Sequence, residues 1–288
     1  MRAVSLHRDV LLVTSAIFQA NCLIVRGSVA GAEIDSGAGE APGAITVIGP
    51  AEPDAAMAET FVIDSPVLPE ELEALPALVE QARFPAPSGL LATHGDWDHL
   101  LGRLAYPGLA LGCAESTARR LAAEPGVAQR ELRDFDEGLA IPRPAPLALG
   151  SMQALPVPGH CELGDRELEL HPTGGHTPDG MAILIGWAGV LAVGDYLSPA
   201  EIPNLMRGCS IDEYEATLTV LEGLIARAER VVPGHGAVMG RSRAAELLDE
   251  DLAYLQSLRA GKVSPMLPPG RDGRRDRALH AENLEQLS

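Results

Sequence analysis

Residues 92–102 read ATHGDWDHLLG, and positions 93–99 of that stretch carry Thr93, His94, Asp96, Asp98 and His99. On an extended or loop backbone the side chains at 94, 96 and 98 reach different depths, whereas 98 and 99 are neighbours and must diverge. One short segment can therefore serve two centres. Imidazole and carboxylate are borderline-hard donors that suit Zn²⁺, Fe²⁺ and Mn²⁺. The bland alternative is a polar loop of caps and turns, with Asp98 capping a helix that starts near His99. A metal site needs further ligands from elsewhere in the chain.

Working outward, SGLLATH is a short strand that delivers its end into this loop, and TFVIDSP is another, ending at Asp64. Between them PEELEALPALVEQAR places leucines and a valine at helical spacing after an acidic first turn. Upstream, DVLLVTS and NCLIVRG read as a β-hairpin. Residues 27–60 are rich in Gly, Ala and acids, carry no Lys or Arg, and have only AITVIGP resembling a strand. They read as an inserted surface flap. Downstream, AILIGWAGVLAVGDYLS reads as a hairpin, IDEYEATLTVLEGLIARA as an amphipathic helix, and RVVPGHG as a strand running into a histidine. The helix SRAAELLDEDLAYLQSLRAG, a Pro/Gly/Arg linker and a closing helix near RALHAENLEQL complete the chain. We read residues 1–262 as one domain and 263–288 as a linker and helix packing on it. The alternation of strand and helix implies sheets covered by helices, with chemistry on loops at strand ends.

Three further candidates sit where such loops belong: His176 in PTGGHTPDG, Asp195 in LAVGDYLS and His235 in VVPGHGAV. Their flanking glycines allow a backbone to approach an ion closely. The succession of HGDWDH, GGHT, GD and GHG, with NCLIV near the start and VIDSP before the loop, resembles the metallo-β-lactamase fold superfamily from about residue 10 to 240. That resemblance implies an α/β chain folded as an αββα sandwich of two mixed sheets with helices outside. It implies one metal held by His94, Asp96 and His176, a second held by Asp98, His99 and His235, and Asp195 bridging them with a water or hydroxide between. It also implies that Asp64 orients the metal loop. Asp96 departs from the family pattern, which has histidine there. A third carboxylate makes the first metal a weaker Lewis acid and the site harder, bringing manganese or iron beside zinc. As a residue, Asp96 is open to three readings: ligand, hydrogen-bond acceptor behind the ligands, or mark of a site with one metal.

Composition sets the wider bounds. Over 288 residues, 46% hydrophobic content suffices for a buried core, and 40 Asp+Glu against 22 Lys+Arg give a net charge of −18. Such a surface repels phosphate backbones and anionic lipid, so we expect a small-molecule substrate, no nucleic acid and no membrane, with a homo-oligomer left open. Lys262 is the single lysine. Cys22, Cys113, Cys161 and Cys209 are widely spaced, which suits free thiols in a cytoplasmic setting. The first 22 residues loosely mimic a lipoprotein leader, but Asp9 and Asn21 spoil the pattern.

The activity expected is a metal-dependent hydrolase, using two divalent ions (Zn before Fe or Mn) and a metal-held hydroxide on a small ester, thioester, lactone or amide. Asp98 would orient the hydroxide and shuttle its proton, and Tyr196 would donate a hydrogen bond to an oxyanion. The rival classes are a mononuclear iron sulfur dioxygenase of the same fold and a non-catalytic metal-binding relative. Trp97 is expected to wall the pocket. His7, His160, His171 and His280 lie outside the pattern and read as surface or packed residues. RDGRRDR reads as a solvated linker, with contact to an anionic substrate as its alternative.

Overall fold

The computed structural model describes residues 1–27, 58–261 and 267–287. The expected flap, apart from its ends, lies outside the described residues.

The first sheet runs in the order β1 (Arg2–His7), β2 (Val10–Thr14), β3 (Asn21–Gly27), β4 (Glu59–Ile63), β5 (Gly89–Leu91), β6 (Leu111–Ala114), β7 (Met152–Leu155). Its first four strands pair antiparallel and the rest parallel. The second sheet runs β13 (Met239–Gly240), β12 (Arg230–Val232), β11 (Val190–Ala192), β10 (Met181–Ile185), β9 (Arg166–Pro172), β8 (Gly159–Leu163), with β11 and β12 its parallel pair. β3 shows how one sequence serves two layers. Leu23 and Val25 face the second sheet and pack with Ile183, Met181 and Val232, while Cys22 and Ile24 face the helices outside, as period-2 alternation requires.

Helices α1 (Pro69–Gln81), α2 (Gly102–Ala105), α3 (Glu115–Ala123) and α4 (Val127–Leu139) lie on the side of the first sheet. Leu72, Leu75, Leu101, Leu121 and Leu132 from these helices and their flanks share a core with Val62, Leu90 and Leu111 of the strands. The outer face of the second sheet is covered by α5 (Ile211–Ile225), α6 (Arg241–Arg259) and α7 (Arg274–Gln286). α5 starts at Ser210, whose hydroxyl accepts the Glu213 N–H while Glu213 reaches back to the Ser210 N–H at 3.0 Å. It buries Ile211, Tyr214, Leu218, Leu221 and Ile225 at helical spacing against Leu184, Leu191 and Val231. The architecture is the expected αββα sandwich of two mixed sheets. No described helix is long and apolar enough to cross a membrane.

The leader-like first residues form β1 and β2, and Cys22 is fully buried in β3. The reading of RDGRRDR as a solvated linker needs correction at two positions: Arg271 and Asp276 are buried, while the rest of the stretch is exposed and from Arg274 on belongs to α7. Arg271, 1% exposed, donates to Asp251 at 2.5 Å, to Glu250 at 2.8 Å and to the carbonyls of Ser198 and Glu201. A cation in a charge run reads as solvated because sequence alone does not show the carboxylate 20 residues upstream that it neutralises in the interior.

α7 packs Leu279 into the outer core of the second sheet and holds the loop that follows Asp195. Asn283 accepts the Leu205 N–H at 2.8 Å and donates to the Pro203 carbonyl at 2.7 Å. His280 lies 3.1 Å from the Tyr254 hydroxyl, a packed position of the kind expected for it.

Candidate metal centre

Strand register decides which side chains meet. β4 and β5 run parallel with Ile63 opposite Leu91, so the ends of these strands emerge side by side. Asp64 thereby accepts the Thr93 N–H at 2.8 Å and the Thr93 hydroxyl at 2.9 Å. Its backbone sits at φ 56, a left-handed conformation that aspartate tolerates better than bulkier residues, and its Oδ2 lies 3.0 Å from His99 Nδ1. In the second sheet Ala192 is opposite Val232, and Asp195 and His235 each follow three residues beyond their partner. Closing that gap, the Gly234 N–H donates to the Gly194 carbonyl at 2.6 Å. A Cβ at residue 234 would fall on Asp195 Oδ1 and against His99 Cε1, so only glycine fits there. The hairpin joining β2 and β3 steadies the same loop, as the Asn21 amide donates to the carbonyls of Pro233 and Gly236 at 2.9 and 2.8 Å.

All seven expected positions converge at this edge of the sandwich. His94, His176 and Asp195 form one compact group, and Asp98, His99 and His235 another, the ligating atoms of each lying within 4.8 Å of one another. Asp195 reaches both: its Oδ2 lies 3.5 Å from His176 Nε2, 3.9 Å from His94 Nε2 and 3.2 Å from His235 Nε2, and its Oδ1 lies 3.2 Å from His99 Nε2. Asp96 turns Oδ2 toward the first group, 3.6 Å from His94 Nε2 and 3.7 Å from His176 Nε2. Asp98 Oδ2 is 3.3 Å from His235 Nε2. A further carboxylate, Glu201, lies close to Asp195 and His235 and pairs with Arg275 at 2.8 Å.

The donor set fits divalent cations. The Nε2 atoms of His94, His99 and His176 are buried and make no hydrogen bond among the described residues, an arrangement that costs free energy unless a ligand meets them. Their opposite nitrogens are engaged. His176 Nδ1 donates to the Asn204 carbonyl at 2.9 Å, His99 Nδ1 faces Asp64, and His94 Nδ1 lies 3.2 Å from the Thr93 hydroxyl. Holding Nδ1 in this way fixes the ring and leaves the Nε2 lone pair for a metal.

Electrostatics agree. Burial disfavours charge on His99, His176 and His235, yet the carboxylates prevail. His99, beside Asp64, Asp195 and Asp98, and His235, beside Asp195 and Asp98, are held well above the ordinary histidine range. His176 is pushed up to about 10 by Asp195 and Asp96. Burial pushes Asp195 and Asp96 upward, but the facing histidines hold both well below the usual carboxylate range. A cluster this negative stabilises positive charge, and metal binding would displace protons from it.

Tyr196 is corrected. It is 3% exposed, packs against Tyr214 in a tilted arrangement with ring centroids 4.8 Å apart, and its hydroxyl accepts the His176 N–H at 3.0 Å. It supports the backbone of His176 and is not presented to a substrate oxyanion. Trp97 is half-buried against the core of the first sheet in an aromatic group with Phe135 and Phe18, whose ring also meets His235 at 6.0 Å. Nothing in the sequence singles out Phe18, Phe135, Arg120 or Glu201, because none belongs to a motif and each reaches the site from a separate element. His7, His160, His171 and His280 belong to none of the metal-competent groups among the described residues.

Residues 69–266 match the model of the metallo-beta-lactamase superfamily, and the chain belongs to that superfamily. No curated protein matches the sequence. Among solved structures, a metallo-beta-lactamase family protein from Thermus thermophilus is 18% identical, with a TM-score of 0.64 over 98% of this chain and 93% of that one. The inverting sec-alkylsulfatase Pisa1 from Pseudomonas sp. is 14% identical with a TM-score of 0.64, over 99% of this chain and 49% of its own. The DIM-1 metallo-beta-lactamase, solved after exposure to ceftazidime, is 18% identical with a TM-score of 0.56, over 89% of this chain and 97% of its own. At these identities the likeness is one of fold.

Proposed function

We propose that the protein is a metal-dependent hydrolase of a small ester, thioester, lactone or amide. His94, Asp96 and His176 would hold one divalent cation, and Asp98, His99 and His235 a second, with Asp195 shared between them. The observation that carries this reading is Asp195, whose two oxygens face both groups of buried imidazole nitrogens. The superfamily membership supports hydrolysis, and the relatives named for an activity are a lactamase and a sulfatase. Bound there, the cations would supply a water that is nucleophilic near neutral pH and positive charge for the carbonyl oxygen under attack.

The chain's own residues do the rest. Asp98, at the rim of the second group, accepts the proton that the attacking water gives up. Phe18, Trp97 and Phe135 offer an apolar wall for the acyl or leaving group and keep bulk water from that side. Asp64 and Asn204 hold the two histidine rings still, which preserves the reacting geometry. The high negative charge of the chain selects against polyanionic substrates.

The hard carboxylate of Asp96 favours one competing reading, an iron-dependent oxidation of a persulfide. Purified protein assayed on thioesters, lactones, β-lactams and a secondary alkyl sulfate distinguishes the two. We expect turnover of at least one carbonyl substrate, lost on chelation and restored by added zinc or manganese. Inertness toward all of them, together with iron content and persulfide-dependent oxygen consumption, would overturn the hydrolase.

A further inference from the structure

The aspartate at position 96 has a counterpart outside the metal loop. Arg120, on α3, projects a largely buried guanidinium between two carboxylates: Nη2 lies 2.8 Å from Asp96 Oδ1 and Nη1 lies 2.8 Å from Asp179 Oδ1. Asp179 is itself 2% exposed and accepts the Gly95 N–H through Oδ2 at 2.9 Å. The result is a closed clip. It joins α3, the loop that presents His94 and Asp96, and the loop that presents His176. A Cβ at Gly95 would press on Asp179 Oδ2 at 3.1 Å and approach Arg120 Nη1 at 3.5 Å, so a side chain at that position would crowd the clip.

This arrangement has two physical consequences. Oδ1 of Asp96 faces the guanidinium as an ion pair at 2.8 Å without an aligned hydrogen bond, while Oδ2 is directed at the two histidine nitrogens. And the guanidinium places one positive charge between the third carboxylate and Asp179, which share it. A lysine could match the charge but not the fork, because a single ammonium does not span two carboxylates in this geometry.

We propose that Arg120 is a positioning residue for the first metal group: it presents Asp96 as a one-oxygen ligand and, shared with Asp179, offsets part of the charge that this aspartate brings. The inference rests on the reading of His94, Asp96, His176 and Asp195 as ligands. It commits Asp96 to the ligand shell and ties its use to an arginine 24 positions away.

The test is metal affinity, measured by competition with a chromophoric chelator, for the wild type, Arg120→Met, Arg120→Lys, Asp96→His and the double variant Asp96→His/Arg120→Met. Circular dichroism confirms that each is folded. In the wild-type background Arg120→Met and Arg120→Lys should each weaken one of the two sites by roughly 10–100-fold and leave the other unchanged, the size usual for losing a group that supports a ligand. In the Asp96→His background the same Arg120→Met change should cost about 3-fold or less, since the Asp96 carboxylate is gone and only the pairing with Asp179 remains to be lost. Equal losses in the two backgrounds would mean that Arg120 acts only by holding the loop of Asp179, and would overturn the proposal. So would an unchanged affinity in both Arg120 variants. A wild-type protein that binds no metal at all would instead refute the metal reading on which the proposal stands.

Discussion

Replacing Asp195 by alanine is expected to weaken both metal groups at once and to lower the hydrolytic rate by about 10³-fold or more. The rate follows from removing several kcal/mol of charge stabilisation. Among the described residues, no other carboxylate stands within 4 Å of ligating nitrogens from both groups: His94 and His176 on one side, His99 and His235 on the other. Alanine also leaves four buried imidazoles without the carboxylate that they share. Metal content by plasma mass spectrometry, measured on the same sample as the rate, checks both halves of the expectation. Loss from one group alone would make Asp195 an ordinary ligand of that group and remove its bridging place.

The second large effect concerns stability. Arg271→Met should destabilise the fold by about 3–5 kcal/mol, the usual cost of leaving a buried charge without its partner. For a chain of this size that is a fall in Tm of roughly 10 °C. Asp251 gives the effect a pH sign. Burial already pushes this carboxyl up to about 7 against the pull of Arg271, and without the guanidinium it rises further. In the unfolded chain it titrates near ~3.9. Between those values the folded state binds more protons than the unfolded state, so stability falls as pH rises through the window. The Tm deficit of the variant should therefore be larger at pH 8 than at pH 5. Adding Asp251→Leu should recover part of it, since an apolar pair of similar volume replaces the ions. Differential scanning calorimetry at the two pH values reads out all three expectations. Because Arg271 also donates to the Ser198 and Glu201 carbonyls, the variant should loosen the loop behind Asp195.

Much of this architecture is legible in the chain because its signals are local. NCLIVRG alternates for two covered faces, IDEYEATLTVLEGLIARA carries its own cap and stripe, and HGDWDH concentrates donors that later Gly-flanked His and Asp residues complete. What escapes is whatever depends on two segments meeting. Arg120 sits in a helix without a motif, and its meaning lies in Asp96 and Asp179, 24 and 59 residues away in sequence. Arg271 looks like part of a solvated charge run until Asp251 and two loop carbonyls are found around it. Tyr196 shows the converse error. Its position after Asp195 suggests contact with substrate, but the turn at Leu197, with φ 55, belongs to a segment whose side chains are packed inward, and the phenol supports His176 from behind. Asp96 lies between the two cases. Its oddity shows in the sequence, while the arginine that accommodates it shows only in three dimensions.

The central claim is that these side chains form a two-metal centre, and the most direct measurement is the metal stoichiometry of the purified chain. Protein loaded with zinc or manganese, desalted and analysed by plasma mass spectrometry should carry about two ions per chain, falling by about one in His94→Ala and by about one in His235→Ala. Fewer than one ion per wild-type chain, or a content indifferent to both substitutions, would contradict the account.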